Sequence, residues 1–163
     1  LIVNQGAQVQ PGGVGTAGGV ETSFRLVDHL HADVGLKWGG VFPVGSIDYF
    51  RQAYMGGLVG LAVSSGARRR GWEGRTAVRF VRLHHARPQT WTKTFFANLV
   101  GGGAVDPAHG TEVVLSAIQS VPPGFPWGDL MFTIDARAGF FPSSEQMNWT
   151  ATLVLGAGFR LFE

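Results

Sequence analysis

The sequence predicts an all-β fold, namely a single eight-stranded antiparallel barrel with up-and-down topology. The first observation is composition: 25 of 163 residues are glycine, 12% are aromatic and only 15% are charged, which is typical of strands joined by many tight turns. The second is a clear alternation of apolar and polar residues in the last segment of the chain. The third is the regular spacing of turn signals between such segments, which suits an antiparallel meander.

The last segment, residues 149–162, shows the alternation most clearly. Its odd positions are apolar from Trp149 to Leu161, whereas its even positions are mostly small or polar from Thr150 to Arg160. A strand points successive side chains to opposite faces, so one face of this segment lies against an apolar medium and the other against a polar one. A strand of a membrane barrel and an amphipathic strand of a soluble sheet both have this profile.

Seven other segments carry strand patterns, so the predicted strands are 16–27, 31–42, 49–64, 75–85, 91–101, 111–120, 127–141 and 149–162. The alternation in 75–85 changes phase between Phe80 and Val81, which predicts a β-bulge there. Residues 1–15 are interpreted as an extended N-terminal segment with a joint at Pro11-Gly12-Gly13, so that the barrel domain spans 16–163. The N-terminal residues could instead form the first part of strand one.

Composition also excludes several classes of site. The chain has no cysteine, so neither a disulfide framework nor a thiolate metal site can form. Its formal net charge of +2 does not suggest a general binder of polyanions. The longest uncharged apolar run, residues 53–67, is interrupted by glycines and is too short to cross a bilayer as a helix. If the chain enters a membrane, it must therefore do so as a closed barrel.

Charged residues in the predicted strands lie on the face opposite the aliphatic side chains. The charged face consists of Glu21, Arg25, Asp33, Lys37, Asp129, Asp135, Arg137 and Arg160. The apolar face includes Leu36, Val59, Leu61, Phe132, Ile134, Leu153 and Leu155. A soluble barrel with an apolar interior and a membrane barrel with an apolar exterior share this partition, so alternation alone does not choose between them.

Aromatic residues near strand ends favour the membrane barrel. If successive strands alternate in direction, one rim collects Trp38, Tyr49, Trp91, Trp127 and Phe159, and Trp149 opens the last strand. Such a girdle is typical of a lipid–water boundary, so the predicted barrel is transmembrane and its apolar face contacts lipid. The charged face then fills a narrow lumen, where acids and bases must pair. Paired charges would close the lumen to solutes.

With this strand rhythm, residues 16–162 resemble the small eight-stranded bacterial outer-membrane barrels of the OmpA/OmpX/OmpW-like group. Members of the group end in a strand with a glycine followed by alternating aromatic or aliphatic residues, which the barrel-insertion machinery reads. Gly156, Phe159 and Leu161 are similar to that signal, although Glu163 stands where an aromatic residue is usual. The resemblance implies a bacterial outer-membrane location, with membrane lipids and the insertion machinery as partners.

The resemblance also implies that both termini lie in the periplasm and that the outer loops are 65–74, 105–110 and 142–147. In the first of these loops, Arg68, Arg69 and Arg70 are predicted to contact the phosphates of lipopolysaccharide, since the guanidinium fork matches phosphate geometry. The alternative is an ordinary solvated basic loop.

Histidines and serines near two turns are the candidate groups for catalysis. His29 and His31 lie beside Asp28, and Ser64 and Ser65 begin the next loop. The motif of lipid-modifying barrels, a histidine two residues before a Ser-Asn pair, is absent. Two histidines without a third ligand give only a weak zinc signal. No catalytic residue, metal or cofactor is therefore predicted.

The expected function is that of a non-enzymatic integral outer-membrane barrel with a structural or interaction role, in contact with lipopolysaccharide and available as part of a larger envelope assembly. Nucleic acid is not an expected partner, because the chain lacks a wider basic surface. Two alternatives stay open. One is a soluble lipocalin-like barrel that holds a hydrophobic ligand, and the other is a lipid-modifying enzyme that uses His31 and Ser65.

Overall fold

A computed structural model describes residues 1–10, 13–43, 49–50, 52–65, 71–86, 89–90, 107–121, 128–142 and 149–161. The strands within these residues are β1 (Ile2–Gln10), β2 (Gly13–Val27), β3 (Leu30–Pro43), β4 (Tyr49–Phe50), β5 (Gln52–Ser64), β6 (Gly71–Ala86), β7 (Gln89–Thr90), β8 (Pro107–Val121), β9 (Gly128–Phe140) and β10 (Trp149–Leu161). Among these residues no helix is present that is long and apolar enough to span a membrane.

Eight of the strands close into a barrel in the order β1-β10-β9-β8-β6-β5-β3-β2, and every pairing is antiparallel. The short strands β4 and β7 pair only with each other. Following the paired residues once around the barrel from Glu73 leads back to His85 of the same strand, so the strands tilt strongly against the barrel axis. The predicted fold class, an all-β eight-stranded antiparallel barrel, is confirmed.

The membership of the barrel differs from the prediction at one strand. The segment Ile2–Gln10, interpreted as an extended N-terminal segment, is β1 and closes the barrel between β2 and β10. Glutamines on both of its faces weaken the alternation that identifies a strand. The predicted strand 91–101 lies outside the described residues, and β6 pairs directly with β8. The barrel therefore reaches eight strands with β1 rather than with residues 91–101.

The predicted bulge in β6 is absent. This strand keeps one continuous register against both β5 and β8. Its pattern changes phase because Val81 and Leu83 face a part of the interior that is apolar. The register shift lies in β2 instead, where Arg25 pairs with His31 but Val27 pairs with Leu30.

Both chain termini lie at one end of the barrel, which we call the terminal end. Ile2 pairs with Arg160, and the Leu161 amide donates to the Leu1 carbonyl over 2.9 Å. The same end carries the tight β2–β3 turn at Asp28 and His29, the end of β5 and the start of β6. His29 adopts a positive φ of 69°, as short hairpin turns require. The other end, where β3 ends and β10 begins, is the opposite end.

Candidate functional site

The side chains of the barrel have the reverse polarity of a water-soluble core. Leu155 on β10 points outward and is 54% exposed, whereas Asp135 on the neighbouring strand points inward and is only 5% exposed. The same contrast holds for the other strands. Large apolar side chains are exposed on the outer face, and most carboxylates, guanidiniums and the Lys37 ammonium are buried inside.

The outer face carries a continuous apolar belt across the described strands. Every residue predicted to face lipid is exposed on it: Leu36, Val59, Leu61, Phe132, Ile134, Leu153 and Leu155. The strands β3, β6 and β8, whose charged side chains point inward, add further exposed members to the belt: Val34, Val78, Phe80, Val113 and Leu115. The belt is an apolar surface that water does not solvate favourably.

The interior charge network is centred on two arginines of β6. Arg79 contacts Glu21 over 2.7 Å and Asp33 over 3.8 Å, and Arg75 contacts Glu21 over 3.1 Å and also pairs with Asp33. Ser23 donates a 2.7 Å hydrogen bond to Asp33. Two carboxylates from β2 and β3 thus meet two guanidiniums from β6, and the four charges compensate each other where bulk water is excluded.

Among the described residues, three further ion pairs lie inside the barrel. Their members are Lys37 with Glu112 (2.6 Å), Arg137 with Asp135 (2.6 Å) and Arg160 with Glu73 (2.8 Å). The Lys37–Glu112 pair joins β3 to β8 across the lumen, since these strands are not neighbours in the barrel. Glycine provides the room, because a Cβ on Gly60 would lie 2.9 Å from Arg79 Cγ. Ion pairs therefore connect strands through the interior of the barrel.

The structure places seven of the eight predicted charged residues inside the barrel. Asp129 is buried and lies opposite Arg160 in the register of β9 and β10. Arg25 differs from the prediction, because it lies at the β2–β3 turn, 70% exposed, and pairs with Asp28. Sequence reasoning missed four interior charges: Glu73, Arg75, Arg79 and Glu112. Glu73 falls in the predicted loop 65–74, because β6 begins earlier than predicted, whereas Arg75 and Arg79 lie in the strand where the assumed bulge obscured the parity.

An apolar cluster fills the interior toward the opposite end. It consists of Tyr54, Leu58, Val81, Leu83 and Phe141. Cavities of about 40 Å³ and 20 Å³ remain inside the barrel, the first lined by Arg75, Arg79 and Asp135 and the second by Tyr54 and Phe141. Such volumes accommodate one or a few water molecules but no larger solute. Neither of these two cavities among the described residues could hold the hydrophobic ligand of a lipocalin-like barrel.

Gln8 connects this cluster to the N-terminal strand. The Tyr54 hydroxyl donates to Gln8 Oε1 over 3.1 Å, and Gln8 Nε2 donates to the Gly40 carbonyl over 3.2 Å.

We expect Tyr54→Phe to lower the free energy of unfolding by about 1 kcal/mol, because the buried Gln8 oxygen loses a donor. Urea titration of the folded barrel, followed by tryptophan fluorescence, measures this change. An unchanged urea midpoint would show that the Tyr54 hydroxyl does not stabilise the folded barrel.

Aromatic side chains lie near both ends of the barrel, not near one rim as predicted. Trp38 and Trp149 lie toward the opposite end, and Trp149 contacts Phe140 with ring centroids 4.5 Å apart. Phe159 lies toward the terminal end, as do the exposed Phe24 and Trp72. Tyr49 lies in β4 outside the barrel sheet, and Trp91 and Trp127 fall outside the described residues.

The histidines at the β2–β3 turn contact the end of β5. His31 Nε2 lies 3.2 Å from Ser64 Oγ, and His29 Nδ1 lies 3.0 Å from the Ser64 carbonyl oxygen. Ser65, the serine of the enzyme alternative, instead accepts a hydrogen bond from the Gly74 amide. The amides of Ser64 and Ser65 donate to the carbonyls of His29 and Gly74. Within the described residues, no group of three or more metal-ligating side chains occurs.

The loop with Arg68, Arg69 and Arg70 joins strands at the terminal end. These three residues lie outside the described part, but β5 ends at Ser64 and β6 begins at Gly71 on the side of the chain termini. The premise that this loop and the termini lie on opposite sides of the barrel is therefore wrong. Without it, the loop is no longer expected to meet lipopolysaccharide if the termini are periplasmic.

The residues resembling an insertion signal all lie in β10, the strand that pairs with both β9 and β1. Gly156 and Phe159 are paired on both sides, and Leu161 pairs with Gly128. Comparison with protein-family models, with curated proteins and with solved structures finds no match.

Proposed function

We propose that this chain is an integral β-barrel of a bacterial outer membrane, with a structural or interaction role and without enzymatic activity. The observation that carries the proposal is the reversed polarity of the barrel. Its outer face is a belt of exposed Leu, Val, Ile and Phe, while ten charged side chains of the described residues form ion pairs inside. We place the terminal end on the periplasmic side, by resemblance to the small outer-membrane barrels.

The energetics of the two faces favour lipid as the surrounding medium. Water would leave the whole apolar belt hydrated, whereas soluble monomers rarely expose apolar patches above a few hundred Å². Acyl chains remove that cost, and a closed barrel leaves no unpaired strand edge in the hydrocarbon. The interior charges, excluded from lipid, are compensated by one another.

The filled interior supports a non-conducting barrel. Ion pairs cross it from Glu73 near the terminal end to Lys37 and Glu112 in the middle, and the apolar cluster around Phe141 occupies the opposite end. A non-enzymatic role is supported at the His31–Ser64 contact, because the amides of Ser64 and Ser65 already donate to backbone carbonyls. These amides are not available to stabilise an oxyanion.

The partners in this proposal are membrane lipids, lipopolysaccharide, the barrel-insertion machinery and other envelope proteins. The last strand, β10, is the segment that would engage the insertion machinery. It would do so before β1 pairs with it, because β10 is an open edge until β1 closes the barrel.

Extraction and gel migration test the membrane assignment. We expect the protein to sediment with outer-membrane vesicles, to require detergent for extraction, and to migrate faster when unheated than when boiled. Planar bilayers containing the purified barrel are expected to show no steady conductance. A protein that stays soluble in buffer without detergent would refute the proposal, and steady large conductance would refute the closed lumen.

A further inference from the structure

One side chain breaks the apolar character of the outer face. Among the outward-facing positions of the described barrel strands, Arg82 on β6 is the residue with a formal charge. It is exposed, and no described residue forms a hydrogen bond or ion pair with it. It lies toward the opposite end, directly across from the exposed His109 of β8. A guanidinium at the edge of a lipid-facing surface requires an anion or water from outside the chain.

On the strands that follow β6 around the barrel, namely β8, β9, β10 and β1, the outer face contains a mostly apolar groove of about 560 Å³. Ala136, Ala138 and Ala151 line its floor on β9 and β10, where the register pairs Ala138 with Ala151. Larger side chains flank this floor on both sides: Val113 and Leu115 from β8, and Leu153 and Val9 from β10 and β1. Val113 lies four residues from His109 on the outward row of β8, so on this strand the groove begins nearer the middle of the belt than Arg82 does.

An aromatic pair borders the groove at the opposite end. Phe140 follows Ala138 on the outward row of β9, and Trp149 precedes Ala151 on that of β10. Their ring centroids are 4.5 Å apart. Aromatic rings at this level mark the boundary between acyl chains and headgroups, which is where a lipid phosphate lies.

We propose that the groove binds one acyl chain of a phosphate-bearing lipid whose phosphate pairs with Arg82. This inference rests on the proposed membrane location and adds a specific lipid site to it. The groove is lined mostly by apolar side chains, as an acyl chain requires, and the guanidinium fork matches phosphate oxygens. The charge of Arg82 favours a lipid over a second copy of the chain as the occupant. A second copy would bring its own Arg82 to the same membrane interface, where the two positive charges repel each other.

Native mass spectrometry of the detergent-purified barrel tests the site with a defined probe, phosphatidylglycerol with two saturated 14-carbon chains. We expect Arg82→Gln to weaken its binding about fivefold, the contribution of one basic residue at an anionic membrane surface. The matched control Arg25→Gln, at the terminal end, should leave binding unchanged. Diacylglycerol with the same chains should bind wild type and Arg82→Gln equally.

The groove is tested separately by filling it. Ala151→Leu should weaken phosphatidylglycerol binding, whereas Ala157→Leu, an outward alanine on the same strand outside the groove, should not. Equal phosphatidylglycerol affinity of wild type, Arg82→Gln and Ala151→Leu would overturn the site. It would also be overturned if the wild type is a dimer and Ala151→Leu dissociates this dimer without changing the affinity for lipid. Each variant must keep its heat-dependent gel shift. A barrel that keeps this shift but lacks the lipid effect refutes the site alone, whereas loss of detergent dependence in the wild type refutes the membrane assignment.

Discussion

Replacing Asp33 with asparagine is expected to lower the free energy of unfolding by about 3 kcal/mol, because it removes one partner from a buried ion-pair network. Asp33 is 1% exposed and contacts both Arg75 and Arg79, and Ser23 also donates to it. After the substitution Glu21 alone faces two buried guanidiniums. The excess positive charge has no access to bulk water inside the barrel. Urea titration of the protein folded into phosphatidylcholine vesicles measures the change.

The control for this prediction is Asp28→Asn at the β2–β3 turn. Asp28 also pairs with an arginine, Arg25, but the two side chains are 78% and 70% exposed. Exposed ion pairs contribute about 0–1 kcal/mol because water screens them, so this variant should unfold near the wild-type midpoint. Equal midpoints for both variants would mean that the Asp33 carboxylate is not buried in the folded barrel. Asp33→Ala provides a second variant, which removes the side-chain hydrogen bonds as well as the charge.

The sequence predicted the polarity of the two faces because period-two alternation reports it directly. β9 and β10 follow that period without interruption. Phe132 on β9 and Leu155 on β10 point outward, whereas Asp135 and Arg137 on β9 point inward. In β6 the same reasoning failed, because the interior itself changes character along the barrel. Its inward row passes from the charged Arg75 and Arg79 to the apolar Val81 and Leu83. At Phe80 and Val81 two successive residues on opposite faces of β6 are both apolar, so parity alone cannot assign them to a face.

Two misassigned segments explain the errors about the barrel ends. Counting 91–101 as a barrel strand reverses the direction of every later strand, and omitting β1 moves the N-terminus to the wrong end. With these two errors the sequence predicts Phe159 at the same end as Trp38, although the two lie toward different ends of the barrel. The loop from Ser65 was placed away from the termini for the same reason. A strand such as Ile2–Gln10, with glutamine on both faces, is identified only by the need to pair with β10.

The outer medium can be tested by placing the same charge at two heights on the same face. Leu155 lies in the middle of β10 and is 54% exposed, and Leu26 lies at the β2 register shift at the terminal end and is 53% exposed. The two leucines therefore match in residue type and exposure but differ in distance from the barrel middle. In water both would tolerate arginine within about 0.5 kcal/mol, since neither is buried.

In a bilayer the two substitutions must differ. Leu155→Arg is expected to destabilise the folded barrel by about 2–4 kcal/mol, because its guanidinium lies near the bilayer midplane, whereas Leu26→Arg should cost about 0–1 kcal/mol near the interface. Urea unfolding of both variants in the same phosphatidylcholine vesicles gives the comparison. A difference of this size between the two unfolding free energies follows only if acyl chains surround the belt. Equal, small effects at both positions would place the leucines in water and remove the physical basis for a membrane barrel.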